Sequence, residues 1–121
     1  MSHRILGAVL MIAAAGPGFA AGQYEFMSSP ETDLNRIYRV DHATGEMGAC
    51  QYAIKEGDKG VGVTLCYKPG EGAGPQGVSE YGLLASHHER DGGVFRLDLR
   101  SGAMSICYVL GEAVVCTPQA R

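Results

Sequence analysis

Two Arg-x-Asp pairs, Arg39 with Asp41 and Arg96 with Asp98, are the spacings in this sequence that most resemble a binding motif. Residues two apart on an extended chain share a face. Each pair therefore sets a guanidinium beside a carboxylate, an arrangement that could grip an anion or a small polar ligand such as a carbohydrate. The same aspartates also have a structural use. Each is followed by x-x-Thr/Ser-Gly, and a tight turn needs a carboxylate that accepts the turn amides and a glycine that takes positive φ.

The other chemistry-bearing residues carry less. His87-His88-Glu89 is a tempting metal cluster, but adjacent histidines on an extended chain point to opposite faces and cannot easily chelate one ion. Gly72-Ala-Gly-Pro-Gln-Gly77 satisfies G-x-G-x-x-G, yet Pro75 interrupts it and a strand-like stretch follows where a phosphate loop needs a helix N-terminus. The cysteines are Cys50, Cys66, Cys107 and Cys116. None of their spacings matches the close pairs of a zinc site or the C-x-x-C-H of haem attachment. No catalytic residue, metal site or cofactor is therefore assigned, and the expectation is a protein that is not an enzyme.

The elements that position these residues are written twice. An offset of 57 lays Tyr24 on Tyr81 and matches Ser29 with Ser86, Arg39 with Arg96, Asp41 with Asp98, Gly45 with Gly102, Met47 with Met104 and Cys50 with Cys107. Internal repetition of this kind governs the architecture. Alternation before each Asp predicts a strand, and the Asp-to-Gly turn predicts a hairpin. In the second copy that hairpin pairs Leu97 with Met104 and Phe95 with Ile106, an apolar face. Gly111-Glu112 fits a two-residue loop with Gly first, which pairs Leu110 with Ala113 and Cys107 with Cys116. Cys50 and Cys66 are symmetrical about Asp58, so a loop at 56–60 closes a longer hairpin with the same crosslink. Two local disulfides follow, Cys50 with Cys66 and Cys107 with Cys116. The rival pairing joins Cys50 to Cys107 and Cys66 to Cys116 across the copies.

The pattern Tyr38-Arg39-Val40-Asp41-x-x-Thr44-Gly45, repeated as Phe95-Arg96-Leu97-Asp98-x-x-Ser101-Gly102, resembles the inner hairpin of β-propeller blades of the kelch and quinoprotein kind. With the cysteines that follow, it resembles small exported bacterial β-repeat proteins of unassigned function. The resemblance implies local shape over about 14 residues of each copy. The chain has no Trp, and so departs from blade-type lectins that stack sugars on indoles.

Residues 1–4 (Met-Ser-His-Arg) form a short positive segment, 5–15 are apolar, and Gly16-Pro17-Gly18 precedes small residues around Ala20. This reads as a signal peptide over 1–20, too short to span a bilayer. An even cysteine count in a small exported chain fits a periplasmic or secreted protein. Lys and Arg number 10 against 13 Asp and Glu, which gives no basic footprint for nucleic acid or anionic lipid. The expected layout is repeat 1 over 21–67, a Pro/Gly linker over 68–77 and repeat 2 over 78–121. The expected fold is all-β, with two tandem four-stranded antiparallel meanders packed as a pseudo-twofold sandwich, or alternatively two propeller-like blades. The expected function is a non-enzymatic exported interaction or structural module, a monomer in preference to an oligomer, whose partner is an unknown protein. The alternative is a small-ligand or carbohydrate binder that uses Arg39, Asp41, Arg96 and Asp98.

Overall fold

The computed structural model describes residues 23–54 and 60–120. The expected signal segment, and most of the expected loop at 56–60, lie outside the described residues. Eight strands form: β1 (Tyr24–Ser28), β2 (Arg36–Asp41), β3 (Met47–Ile54), β4 (Gly62–Pro69), β5 (Tyr81–Leu84), β6 (Val94–Asp98), β7 (Met104–Leu110) and β8 (Ala113–Cys116). No helix occurs among the described residues.

Turn chemistry explains why the strands end where they do. Asp41 Oδ1 accepts the amides of Ala43 at 2.8 Å and Thr44 at 3.1 Å, and Asp98 Oδ1 accepts those of Arg100 at 3.0 Å and Ser101 at 3.1 Å. Gly45 and Gly102 then take φ of 75° and 82°, a region that residues with a side chain rarely adopt. The registers set by these turns match the expected ones, with Phe95 opposite Ile106 and Leu97 opposite Met104. Around the Gly111-Glu112 loop, Leu110 faces Ala113 and Cys107 faces Cys116. In β3 and β4, Cys50 faces Cys66. Both local disulfides are formed, Cys50–Cys66 and Cys107–Cys116, and the rival cross-copy pairing is not.

The strands do not divide into two facing sheets or two separate blades. They form one mixed sheet in the order β1-β2-β3-β4-β8-β7-β6-β5. Its single parallel joint sets Lys68 and Pro69 of β4 beside Ala113 and Val114 of β8. The edge strands β1 and β5 come together, so the sheet curls into a nearly closed barrel. The Tyr81 amide bonds the His42 carbonyl at 2.8 Å and the Ser79 amide bonds that of Ala43 at 3.0 Å across this closure.

Joining the sheet through a parallel pair, with the other strands in mirrored order, has a geometric consequence. The operation that carries β1–β4 onto β5–β8 is a rotation about an axis along the strands, and such a rotation exchanges the two faces of a sheet. In the first half Tyr38, Val40 and Met47 point into the barrel and are buried. Their counterparts Phe95, Leu97 and Met104 face outward, with Met104 56% exposed. The interior is completed instead by Val94, Cys107, Val114 and Cys116, together with Tyr81 and Leu83 of β5. The apolar face expected of the second hairpin, Phe95 with Ile106 and Leu97 with Met104, is therefore on the outside rather than in a sandwich core.

The segment 68–77, expected as a linker without an apolar anchor, is packed. Ala73 is fully buried in the core. Its carbonyl accepts the Met47 amide at 2.8 Å, and the Glu71 carbonyl accepts that of Cys116 at 2.9 Å. Gly72 lies so close to the Cys116 carbonyl that any Cβ would overlap it, and its φ is 75°.

Candidate functional site

The sheet gives the two Arg-x-Asp pairs different surroundings. Arg96 points inward, 6% exposed, and its guanidinium donates to the Gly45 carbonyl at 2.8 Å and the Gly72 carbonyl at 3.1 Å. Burial pulls its pKa below the ordinary arginine value. It thus ties β6 to the β2–β3 turn and to the 68–77 segment. Arg39, its counterpart, is on the outside and lies over the ring of Tyr24 at 5.1 Å.

The aspartates are committed to their turns. Asp98 also accepts the Ser79 hydroxyl at 2.6 Å; that bond, with the Ser101 and Arg100 amides, holds its carboxyl down at about 2. Asp41 accepts the Gln23 side-chain amide at 2.6 Å, and this bond is the main cause of its lowered pKa. Arg39 and Arg96 are consequently not two copies of one pocket.

His87 and His88 are exposed in the loop after β5, where His88 approaches the Asp91 carboxylate at 3.6 Å. Among the described residues no three His, Cys, Asp or Glu side chains converge in a way that could hold a metal ion. His42 is occupied locally, with Nδ1 2.9 Å from the Tyr81 carbonyl.

Two features not anticipated from spacing are better placed to meet a partner. The first is at the barrel mouth. Arg36 Nε donates to Gln51 Oε1 at 2.7 Å, and its guanidinium lies 5.2 Å from the centre of the Tyr67 ring. It borders an open cleft of about 530 Å³, lined also by Glu31, Asp91, Phe95 and Tyr108. Behind it the Tyr38 hydroxyl donates to the Gly92 carbonyl at 2.6 Å, and burial raises the pKa of that phenol.

The second is the hairpin of β3 and β4. β2 accompanies β3 only as far as Gln51, and β8 accompanies β4 only from Lys68. Beyond those points no other described strand accompanies the hairpin, which forms an arm. Tyr52 and Ile54 lie on one side of it, Val63 and Leu65 on the other, and Val61 precedes β4; all five are between 38% and 65% exposed. The alternation Val61-x-Val63-x-Leu65-x-Tyr67 is visible in the sequence, but alternation alone does not reveal that this row lacks a covering layer.

The backbone of the arm is also open. Cys50 and Cys66 have Cα atoms 3.9 Å apart, the narrow spacing of a pair that does not exchange ladder hydrogen bonds. Cys66, Thr64 and Gly62 therefore direct their N–H and C=O groups away from β3, toward an edge with no neighbouring strand among the described residues. Lys68, next in this series, is where β8 begins to pair. The strand from Gly62 to Tyr67 carries no charge and no proline, the features that usually guard an open edge.

No protein-family model, curated protein or solved structure matches this chain in comparison with known proteins.

Proposed function

We propose that this protein is an exported, non-enzymatic interaction module, built on a duplicated β unit, that engages a protein partner through the β3–β4 arm. The observation that carries the reading is the arm itself: apolar on both sides, projecting beyond its neighbouring strands, and open along β4. Exposed apolar surface on an element that contributes little to its own core is characteristic of a contact surface. The two disulfides support an oxidising compartment, consistent with a periplasmic or secreted protein that leaves residues 1–20 behind.

A photo-crosslinking residue at Tyr52 or Val63, introduced into the full chain in exporting cells, tests this reading. A discrete adduct is expected from both positions and none from Leu84, which is more exposed than either, on β5. Equal background from all three positions would overturn it.

A second reading, a small-ligand or carbohydrate-binding protein, draws on the barrel-mouth cleft, because mouths of β-barrels are common ligand seats and Arg36 is held ready there by Gln51 and Tyr67. This moves the ligand away from Arg39, Asp41, Arg96 and Asp98, the positions suggested by spacing. Saturable binding from a glycan and metabolite panel that is lost in Arg36→Ala would support it. Binding unchanged in that variant would remove it.

A further inference from the structure

The open edge of β4 has a chemistry that selects its occupant. Resting on the interaction-module reading, we infer that the arm pairs with a second copy of itself, β4 against β4 in antiparallel register, with Thr64 on the twofold axis.

Three observations lead to this register. The first is the direction of the main-chain groups. Only Gly62, Thr64 and Cys66 offer N–H and C=O to the open edge, by alternation from the narrow Cys50–Cys66 pair. An antiparallel partner must present groups with the same alternate spacing, and a twofold at Thr64 does so. Thr64 then faces its own copy, and Gly62 and Cys66 face the partner's Cys66 and Gly62. All the open groups of both strands are satisfied in hydrogen-bonded pairs.

The second observation is the side-chain row on the barrel-side face. In that register Val63 stands opposite the partner's Leu65, and Val61 opposite the partner's Tyr67, each pair occurring twice by symmetry. Every member of the row is aliphatic or aromatic, and directly opposed pairs of this kind are the unit of sheet stabilisation. The row is self-complementary, as an isologous interface requires. With no charge between Gly62 and Tyr67, two copies meet without like-charge repulsion.

The third is space. An open cleft of about 470 Å³ lies between Leu65–Lys68 of β4 and the Gly111-Glu112 turn. In the paired arrangement this is where the partner strand's start enters, and that start is Gly62, preceded by Val61 and Gly60. The two glycines that flank Val61 suit a position beside the β7–β8 turn. Gly62 is further restricted because a Cβ there would overlap the Tyr52 ring.

Sedimentation velocity and amide hydrogen exchange of the full, disulfide-bonded chain test the inference between about 1 μM and about 1 mM, a range that spans weak to moderate self-association. The expected result is a reversible dimer. As it forms, the amides of Gly62, Thr64 and Cys66 slow at least tenfold, while those of Val63 and Leu65, already bonded within the hairpin, change little. Thr64→Pro removes an edge N–H that has no partner among the described residues, and Leu65→Lys places a charge in the apolar row. Both are expected to be monomeric with both disulfides intact, whereas Leu84→Lys remains dimeric. A monomer at every concentration, or a dimer indifferent to Thr64→Pro and Leu65→Lys, overturns the inference. If the chain is monomeric and the Tyr52 adduct joins it to a different protein, the second copy is excluded while the interaction-module reading stands.

Discussion

Arg39 and Arg96 show how little a residue's type and spacing settle its role. Buried Arg96 satisfies two carbonyls from segments far apart in the chain. Removing it leaves the Gly45 carbonyl without its donor, and charge-assisted bonds of this kind contribute about 1.5–3 kcal/mol each. Arg96→Ala is expected to lower unfolding free energy by about 3 kcal/mol, whereas Arg39→Ala, which loses an exposed stack on Tyr24, should cost under about 1 kcal/mol. Urea denaturation of the two variants measures the contrast, and equal losses would mean that Arg96 is not a structural tie. Asp98 gives a pH signature. Its folded pKa of about 2 lies below the ordinary carboxylate value, so its contribution is complete above about pH 4 and disappears as pH falls toward 2. Asp98→Asn should therefore flatten the acid limb of stability in that window, as read from thermal unfolding between about pH 2 and 5. An unchanged acid limb would show that the Ser79 bond does not favour the ionised form.

At the scale of elements, the two hairpin disulfides look alike in sequence and differ in setting. Cys107 and Cys116 are buried, and Cys66 is exposed on the arm. A thiolate must reach a sulfur to exchange with it, so limited reductant should open Cys50–Cys66 first, with alkylation and peptide mapping showing label at Cys50 and Cys66 before Cys107 and Cys116. Loop entropy assigns either bridge about 3 kcal/mol. Loss of the inner pair adds a packing defect in the core, so a Cys107→Ser and Cys116→Ser double variant should be the less stable of the two double serine variants. The face reversal explains the difference: one register rule places both bridges, and the inversion about the β4–β8 joint puts one outside and one inside. Legibility follows the same division. Turns, strands and pairings were readable because they depend on contacts within about 20 residues, such as Asp41 with Ala43 or Leu110 with Ala113. The anchoring of 68–77 was not, because Ala73 and Gly72 are defined by what they touch in β3, β6 and β8.

For the whole molecule, the interior is a joint product of both halves. Tyr38, Val40 and Met47 pack in one core with Val94, Cys107 and Val114, Arg96 crosses between them, and the sheet is continuous. The full chain should therefore unfold in one calorimetric transition. Residues 21–67 or 78–121 alone should show no cooperative transition, since each half lacks the other wall of the core; two resolved transitions in the full chain would contradict this.

Alternation and turn residues act locally, so an all-β chain, its hairpin registers and the preference for local cysteine pairs follow from the residues alone. Which face of each hairpin is inside depends on how the strands join across the sheet. Alternation defines two faces but does not order them, and in the second copy Phe95, Leu97 and Met104 on one face competed with Val94 and Cys107 on the other. The parallel joint of β4 with β8 settles that competition, since continuing one sheet through such a joint reverses its faces. The same joint begins only at Lys68 and leaves the edge from Gly62 to Tyr67 open.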